Sequence, residues 1–514
     1  MPHCSVDSGC GDQNGAVRTR ALFGALAAAA AIAASQLAAA LLNLRESPVL
    51  ALAQTVIKLT PGSTAESVIS VVGKNDKPLA VISVLAGMVL LGAVLGRWWL
   101  QRRPLALAGA VVATGLVVAA VLSRPYGSTG GVVASLLGGA TLVAVLHLLV
   151  REEPEAEASA GVSRRTVLRM AGAVAVGTAL AGTGGEVLAA RHRRRRALEK
   201  VRAALKLPTR RVAAPAGTDL RLQGQPPWLT PNRDFYRIDT ALTPPLIEPE
   251  DWSLRIHGMV ERELTITYQD LLDRGLKDAW ITLCCVSNQV GGDLISTTLF
   301  SGVPMKTLLD EVGVKPGADA LLSTSDDGWT CGTPLSALTD GRDALLAVAM
   351  NGEALPVEHG FPVRQVVPGL YGYVSATKWV REWEVTRFAD FEAYWTQRGW
   401  GAKGPVKTQS RIDLPLRDVA AGTVPIAGVA WAQHTGIAKV EVRVDDGEWE
   451  QADLAAVPND DTWVQWKLEW DALPGDHVIE VRATDKSGYT QTAERSDVLP
   501  DGATGHDRVA VSVS

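Results

Sequence analysis

Uninterrupted apolar stretches open the chain. They cover residues 21–42, 78–95, 105–122 and 131–150, and a weaker one covers 171–188. Each is near the roughly 17–25 residues that a helix needs to cross a bilayer. Any one of them could be a buried core helix, but four in succession predict a helical bundle in a membrane. Residues 1–190 are therefore expected to form a transmembrane anchor of four to five helices. Beyond them the pattern changes. Segments with helical character, "TYQDLLDRG" and "MKTLLDEVGV", alternate with short apolar strands over 215–405, as in an α+β domain. Over 406–514 polar and apolar positions alternate with period two, in "KVEVRVDDGEWEQADL", "TWVQWKLEWDAL" and "HVIEVRATDKSG". That alternation, broken by turn residues, predicts an antiparallel β-sandwich of immunoglobulin type.

Charge between the runs gives an orientation. Arg18 and Arg20 precede the first run, Arg97, Arg102 and Arg103 separate the second from the third, and "REEPEAEASAGVSRR" follows the fourth. By the positive-inside rule these sit on the cytoplasmic side, so the fifth run delivers everything after it to the extracytoplasmic side. The entry to that run, "SRRTVLRMAGAVAVGTALAG", joins Arg164 and Arg165 to a mildly apolar stretch. It resembles a twin-arginine export signal; the plainer account is a pair of inside-facing charges flanking a helix. A basic linker, 191–214, opens with "RHRRRR" on the predicted outer side, where it works against the orientation. Contact with lipid head groups is its expected role. The spans themselves are almost purely apolar, with His147 the main exception. Transport pathways need intramembrane ionisable groups, and a bundled haem commonly needs two histidines. The bundle is read as an anchor, with a signalling role as the alternative.

Bulk composition changes this picture little. The 47% hydrophobic fraction averages an apolar first part with an ordinary globular remainder, and a net charge of -5 gives no reason to expect nucleic acid. Five cysteines in 514 residues make no disulfide framework. Two of them are adjacent, Cys284 and Cys285, in "WITLCCVSNQVGG". Neighbours on a strand face opposite ways, a bridge between them is strained, and four regularly spaced zinc ligands are missing. Two packed core thiols is the plain account. The functional one is a single thiolate directed at a soft metal, its neighbour packing as a small hydrophobe.

The surroundings favour the second account. Downstream, "VAMNGEALPVEHGFPVRQVVPGLYGYVSATKWVREWEV" sets His359, Arg364 and Lys378 among glycines in an otherwise apolar stretch. Glycines let backbone amides approach a ligand closely, and such cations bind phosphate or an oxyanion. Upstream, "LTPNRDFYRIDTAL" offers Asn232, Tyr236 and Arg237. Together they point to a large polar, anionic ligand.

Residues 215–510 resemble the sulfite oxidase family of molybdopterin enzymes. "FYRID", "CVSN" and "LFSGVPMKTLL" stand where that family has FY-x-R-N-H, CAGN and W-x-G-V-x-L-x-x-L-L. The family's long MNG…LP…HG-x-P-x-R…VPG…KW segment is matched nearly throughout from Met350 to Trp379. The resemblance implies a molybdenum-molybdopterin cofactor with Cys285 as the metal thiolate and Cys284 packed away. It also implies cofactor contacts from Tyr236, Arg237, His359, Arg364, Ser375, Ala376, Thr377 and Lys378, with Asn232 a weaker candidate. Cys285, Arg237 and Arg364 are the expected catalytic set. The implied activity is two-electron oxygen-atom transfer on a small oxyanion or sulfoxide-type substrate. Its implied partners are a cytochrome or membrane haem protein and, through the closing sandwich, a candidate homodimer mate. Departures bear on substrate. Gln289 and Val290 occupy places where sulfite-oxidising members carry arginines, and Asp239 replaces the histidine of the first motif. A degenerate, metal-free binding or sensor domain on a membrane tether is the alternative.

Overall fold

The computed structural model describes residues 10–42, 44–60, 76–124, 127–150, 172, 191–207, 213–415 and 418–514. The chain forms two units, one of residues 1–197 with 241–246 and the other of 198–240 with 247–514.

The first unit is helical. Its helices are α1 (Cys10–Leu41), α2 (Pro48–Leu59), α3 (Asp76–Trp98), α4 (Arg103–Leu122) and α5 (Thr129–Leu149). Among the described residues, four of these, all but α2, contain a stretch long and apolar enough to cross a membrane. Helix α2 was not expected. At 12 residues it is too short to span, and its polar Gln54, Thr55 and Lys58 interrupt the apolar pattern. Ser47 caps it by accepting a hydrogen bond from the Leu50 amide, with Pro48 in the first turn. Helices α1 and α3 cross at Gly24, Gly92 and Gly96. A Cβ built on Gly24 would lie 2.1 Å from the Gly92 carbonyl oxygen, so the backbones touch as small residues permit in a membrane bundle. Arg164–Arg165 and, apart from residue 172, the fifth apolar run lie outside the described residues. The segment read as a basic linker is helical over 191–204.

The second unit is β-rich. One mixed sheet runs β2 (Leu264–Thr267), β1 (Ser253–Gly258), β10 (Val380–Thr386), β5 (Ala320–Ser325) and β6 (Thr330–Pro334), with only β1 and β10 parallel. Another sheet joins β3 (Lys277–Cys284), β4 (Ile295–Pro304) and β7 (Leu345–Met350), with β8 (Glu353–Ala354) and β9 (Arg364–Val366) both paired to β7. Every residue of β7 is buried, which is why "LLAVAM" shows no alternation. The predicted helix after β2 is Tyr268–Asp273, opened by a capping box in which Thr267 and Asp270 satisfy each other's amides.

From residue 409 two antiparallel four-stranded sheets follow. One orders β11 (Gln409–Leu414), β12 (Gly422–Trp431), β16 (Val464–Ala472) and β15 (Asp453–Leu454). The other orders β14 (Glu450–Gln451), β13 (Ile437–Val444), β17 (Gly475–Asp485) and β18 (Asp507–Val513). Ile426 and Trp466 from the first pack with Val440, Ile479 and Val481 from the second in one buried core. The period-two pattern thus becomes a sandwich whose inner faces are apolar.

Candidate active site

Strand β3 ends at Cys284, and the chain turns at Cys285. The Cys285 amide donates to the Leu294 carbonyl at 2.9 Å, closing a ten-residue turn at its base. Within it the Asn288 amide donates to the Cys285 carbonyl at 3.1 Å, and the Asn288 side-chain oxygen accepts from the Leu294 amide at 2.8 Å. The alternation of the strand separates the two thiols. Cys285 lines a cleft; Cys284 is 2% exposed, does not line it, and directs its thiol at the Cys285 carbonyl at 3.5 Å. Burial pushes both thiols up, and hydrogen bonds from Ser287 pull that of Cys285 the other way.

The cleft holds about 870 Å³ of free space, its open mouth included. One wall comes from the segment before β1. The Tyr236 amide donates to the Ser296 hydroxyl at 3.2 Å, and Phe235 sets its edge against the His359 ring, 5.4 Å between centroids. Another wall comes from β9 and the segment just after the short helix Gly372–Ser375, where Arg364 and Lys378 pair in an isolated β-bridge. Gly360, at φ 111°, makes this possible. A Cβ there would come within 2.9 Å of the Arg364 Cβ and 3.2 Å of the Lys378 Cα.

Asp239 ties the charges together. Its Oδ2 accepts from the Arg237 Nε at 2.9 Å and from the Lys378 Nζ at 2.7 Å, and Lys378 also donates to the Glu358 carbonyl at 3.1 Å. Burial lowers Lys378 to about 8, with Asp239 opposing the shift, and lowers Arg364 to about 10. Arg364 Nη1 donates to the His359 carbonyl at 3.2 Å, while its buried Nε has no hydrogen-bond partner. His359 is brought down to about 3, first by burial and then by the charges of Arg364 and Lys378.

The other expected residues are placed unequally. Ala376 lines the cleft with Tyr236, His359, Arg364 and Lys378. Ser375 spends its hydroxyl on the Leu370 and Tyr371 carbonyls, and the Thr377 hydroxyl is paired with that of Ser323 behind the wall. The Asn232 side-chain amide donates to the Met350 carbonyl at 3.1 Å and accepts from Asn351 at 2.9 Å; Asn232 does not line the cleft, but its backbone hydrogen-bonds the lining residue His359. Cys331, fully buried in β6, is a core residue. The sequence reading missed an aromatic wall of Trp329, Tyr373, Trp379, Trp395 and Trp400. Trp395 and Trp400 meet edge to face at 6.3 Å, and Tyr373 lies 5.9 Å from Trp400. Five-residue spacing in "YWTQRGW" was the one local signal of that wall.

These residues fit a molybdopterin. Among the described residues no group of three His, Cys, Asp or Glu side chains could hold a metal ion. A metal beside Cys285 would take one thiolate from the chain and its other ligands from an organic cofactor, which suits soft-ligand molybdenum chemistry. Three cations, Arg364 and Lys378 in the lining and Arg237 just behind it, stand against two cleft carboxylates, Asp239 and Asp327, and leave one surplus positive charge for an anionic cofactor. The unpartnered Arg364 Nε is a donor that a buried site does not ordinarily leave unused.

The low position of His359 carries a prediction. Its folded-state value near 3 lies below the ordinary 6.5, so the unfolded chain binds more protons between those limits. Stability then rises with pH through that window and falls as pH drops through it, by at most about 1.4 kcal/mol per pH unit. His359→Gln should flatten this part of the profile. Urea midpoints from pH 4 to 7 check it: parallel profiles for the two proteins would contradict a buried neutral imidazole.

Comparison with known proteins agrees with the chemistry. Residues 241–395 match the family described as oxidoreductase molybdopterin binding domain. The chain is 28% identical to the uncharacterized oxidoreductase YuiH of Bacillus subtilis (strain 168), over 35% of this chain and 87% of that one. It is 27% identical to the sulfite oxidase of Gallus gallus, over 51% of this chain and 68% of that one. It is 26% identical to the NADH nitrate reductase 2 of Nicotiana tabacum, over 47% of this chain but only 34% of that one. The chain thus spans about a third of the plant relative's length. With the thiol, the cations and these matches together, residues 241–395 are a molybdopterin-binding domain, and the chain carrying them is a molybdenum oxidoreductase similar over this region to sulfite oxidase and YuiH.

Proposed function

We propose that this chain is a membrane-anchored enzyme that transfers an oxygen atom, with two electrons, to or from a small substrate on the extracytoplasmic side. One observation carries the reading: of two adjacent cysteines, only Cys285 lines a cleft, and it shares that cleft with Arg364, Lys378 and His359. When bound, the cofactor supplies oxygen-atom transfer at molybdenum. The chain's residues do the rest. Cys285 provides the metal thiolate. Arg364 and Lys378 hold the anionic part of the cofactor, with Arg237 and Asp239 fixing the lysine. Tyr236, its hydroxyl pushed well up by burial and by the neighbouring thiols, keeps its proton and can donate it in a hydrogen bond. The tryptophans narrow the cleft and exclude water.

Asp239 already engages two of the cations, and Gln289 and Val290 add none. Together with the aromatic wall this favours a sulfoxide-type substrate over a small oxyanion. The four apolar helices support the anchor, and the charge pattern of the sequence supports the face. Electrons pass to or from a separate cytochrome or membrane haem protein. The closing sandwich is of immunoglobulin type and is a candidate homodimer surface. The test is molybdenum and pterin content of the purified full chain from a host that makes the cofactor. Near-stoichiometric amounts are expected; their absence would leave a tethered binding domain.

A further inference from the structure

The ten-residue turn that carries Cys285 is gripped on its outer side by the C-terminal sandwich. Arg411, on β11, donates from Nη1 to the Gly292 carbonyl at 2.9 Å. Gly291 stands at φ 75°, and a Cβ there would lie 2.5 Å from Oδ1 of Asp507, at the start of β18. That carboxylate therefore lies flat against the turn, while its Oδ2 accepts from the Ile412 amide at 2.8 Å. Arg411 is held in turn by Asp413, Nε to Oδ1 at 2.7 Å. Strand β3 is fixed from the same side, its Thr282 amide donating to the Asp461 carbonyl at 2.9 Å and its Thr282 hydroxyl accepting from the Trp463 amide at 2.8 Å.

Arg411, Asp413 and Asp507 are all buried, and Asp413 Oδ2 has no partner. Burial pushes both carboxyls up. Such a cluster is costly to desolvate and is a poor source of stability compared with apolar packing. What it does supply is direction. A guanidinium bond to a carbonyl fixes the turn at one point, and a carboxylate packed on a glycine leaves no room for the turn to move toward the sandwich. A site residue 1 Å out of place is a common way to lose function, and supporting groups prevent it.

We infer that Arg411 and Asp507 are positioning residues for the Cys285 turn, so that the sandwich is part of the metal site as well as a candidate surface for association. The inference rests on Cys285 being the metal thiolate, but the grip itself can be read without metal. The experiment uses the full chain in detergent, with Arg411→Gln, Arg411→Lys and Gly291→Ala beside wild type. Arg443→Gln is the control, because it breaks the ion pair to Glu480 inside the same sandwich without touching the turn.

In metal-free protein, amide exchange of Leu294 and Asn288 should quicken about tenfold in Arg411→Gln, the size expected from losing one charged hydrogen bond. Lysine should restore part of this, and Arg443→Gln should change nothing there. In loaded protein, X-ray absorption should show an altered or disordered sulfur shell at molybdenum in Arg411→Gln and Gly291→Ala. Wild-type exchange together with a wild-type sulfur shell in Arg411→Gln overturns the inference. Should that variant not fold, the same two results in Gly291→Ala overturn it instead. A wild type that binds no molybdenum defeats the cofactor reading alone, since quickened exchange still reports the grip.

Discussion

Cys285→Ser is expected to abolish turnover, and Cys284→Ser to leave it close to wild type. The two residues are neighbours of the same type, so the contrast isolates position. Cys285 lines the cleft, whereas Cys284 is sealed behind it with its thiol on a backbone carbonyl. Serine would offer a hard, weakly acidic ligand in the place where Cys285 would offer molybdenum a soft thiolate. Losing a metal ligand should cost more than the roughly 10–100-fold that loss of a supporting outer group costs. At position 284 the penalty is paid in folding. A hydroxyl replaces a thiol in an apolar pocket, at about 1–3 kcal/mol. Steady-state rates, urea midpoints and the sulfur count at molybdenum separate the two effects. Equal loss of activity in both serine variants, with the sulfur count intact in each, would mean that the pair acts only through packing.

What could be read before any coordinates divides along physical lines. Spanning helices are legible because bilayer thickness imposes a length, and α1, α3, α4 and α5 meet it. Helix α2 escaped because nothing fixes the length of a short amphipathic helix. The sandwich strands β13, β16 and β17 were legible because polar and apolar residue types alternate along them, even where the polar side is covered as at Gln465 and Glu480, whereas fully buried β7 shows only apolar residues. At the site, strand geometry alone said that only one of Cys284 and Cys285 could face a ligand. Choosing which required the motif. Tertiary pairings were hidden. Asp239 reads as a lost histidine in sequence, yet in space it is the carboxylate joining Arg237 to Lys378. Trp329 and Trp395 lie 66 positions apart and line one cleft only because the turn between β5 and β6 and the segment after β10 both reach it. Ser375 and Thr377, carried over with their motif, turn their hydroxyls to the backbone and to Ser323. Any contact they make with a cofactor must come from backbone groups.

Arg364→Met should separate cofactor retention from folding. Arg364 is 5% exposed, its Nε has no partner, and its Nη1 donates to the His359 carbonyl. Burial brings it down to about 10, against an opposing pull from Tyr236, so the protein surroundings disfavour the charge. A guanidinium buried on such terms is expensive, and an apolar residue of similar volume is often neutral or stabilising in its place. Methionine can also keep the packing over the Phe300 ring, where the guanidinium carbon now sits 5.5 Å from the centroid. Metal-free Arg364→Met is therefore expected to be at least as stable as metal-free wild type. The loaded state should respond in the opposite sense. An anionic cofactor satisfies the charge and the stranded donor together, and removing a hydrogen bond to a charged group costs about 1.5–3 kcal/mol, or roughly 10–100-fold in retention. Lysine at this position should recover only part of the loss, because it lacks the planar fork. Pterin content after extended dialysis and thermal midpoints of the metal-free proteins measure the two halves. A variant less stable than wild type when metal-free, yet unchanged in pterin content, would make Arg364 a structural residue and move the cofactor anchor to Lys378.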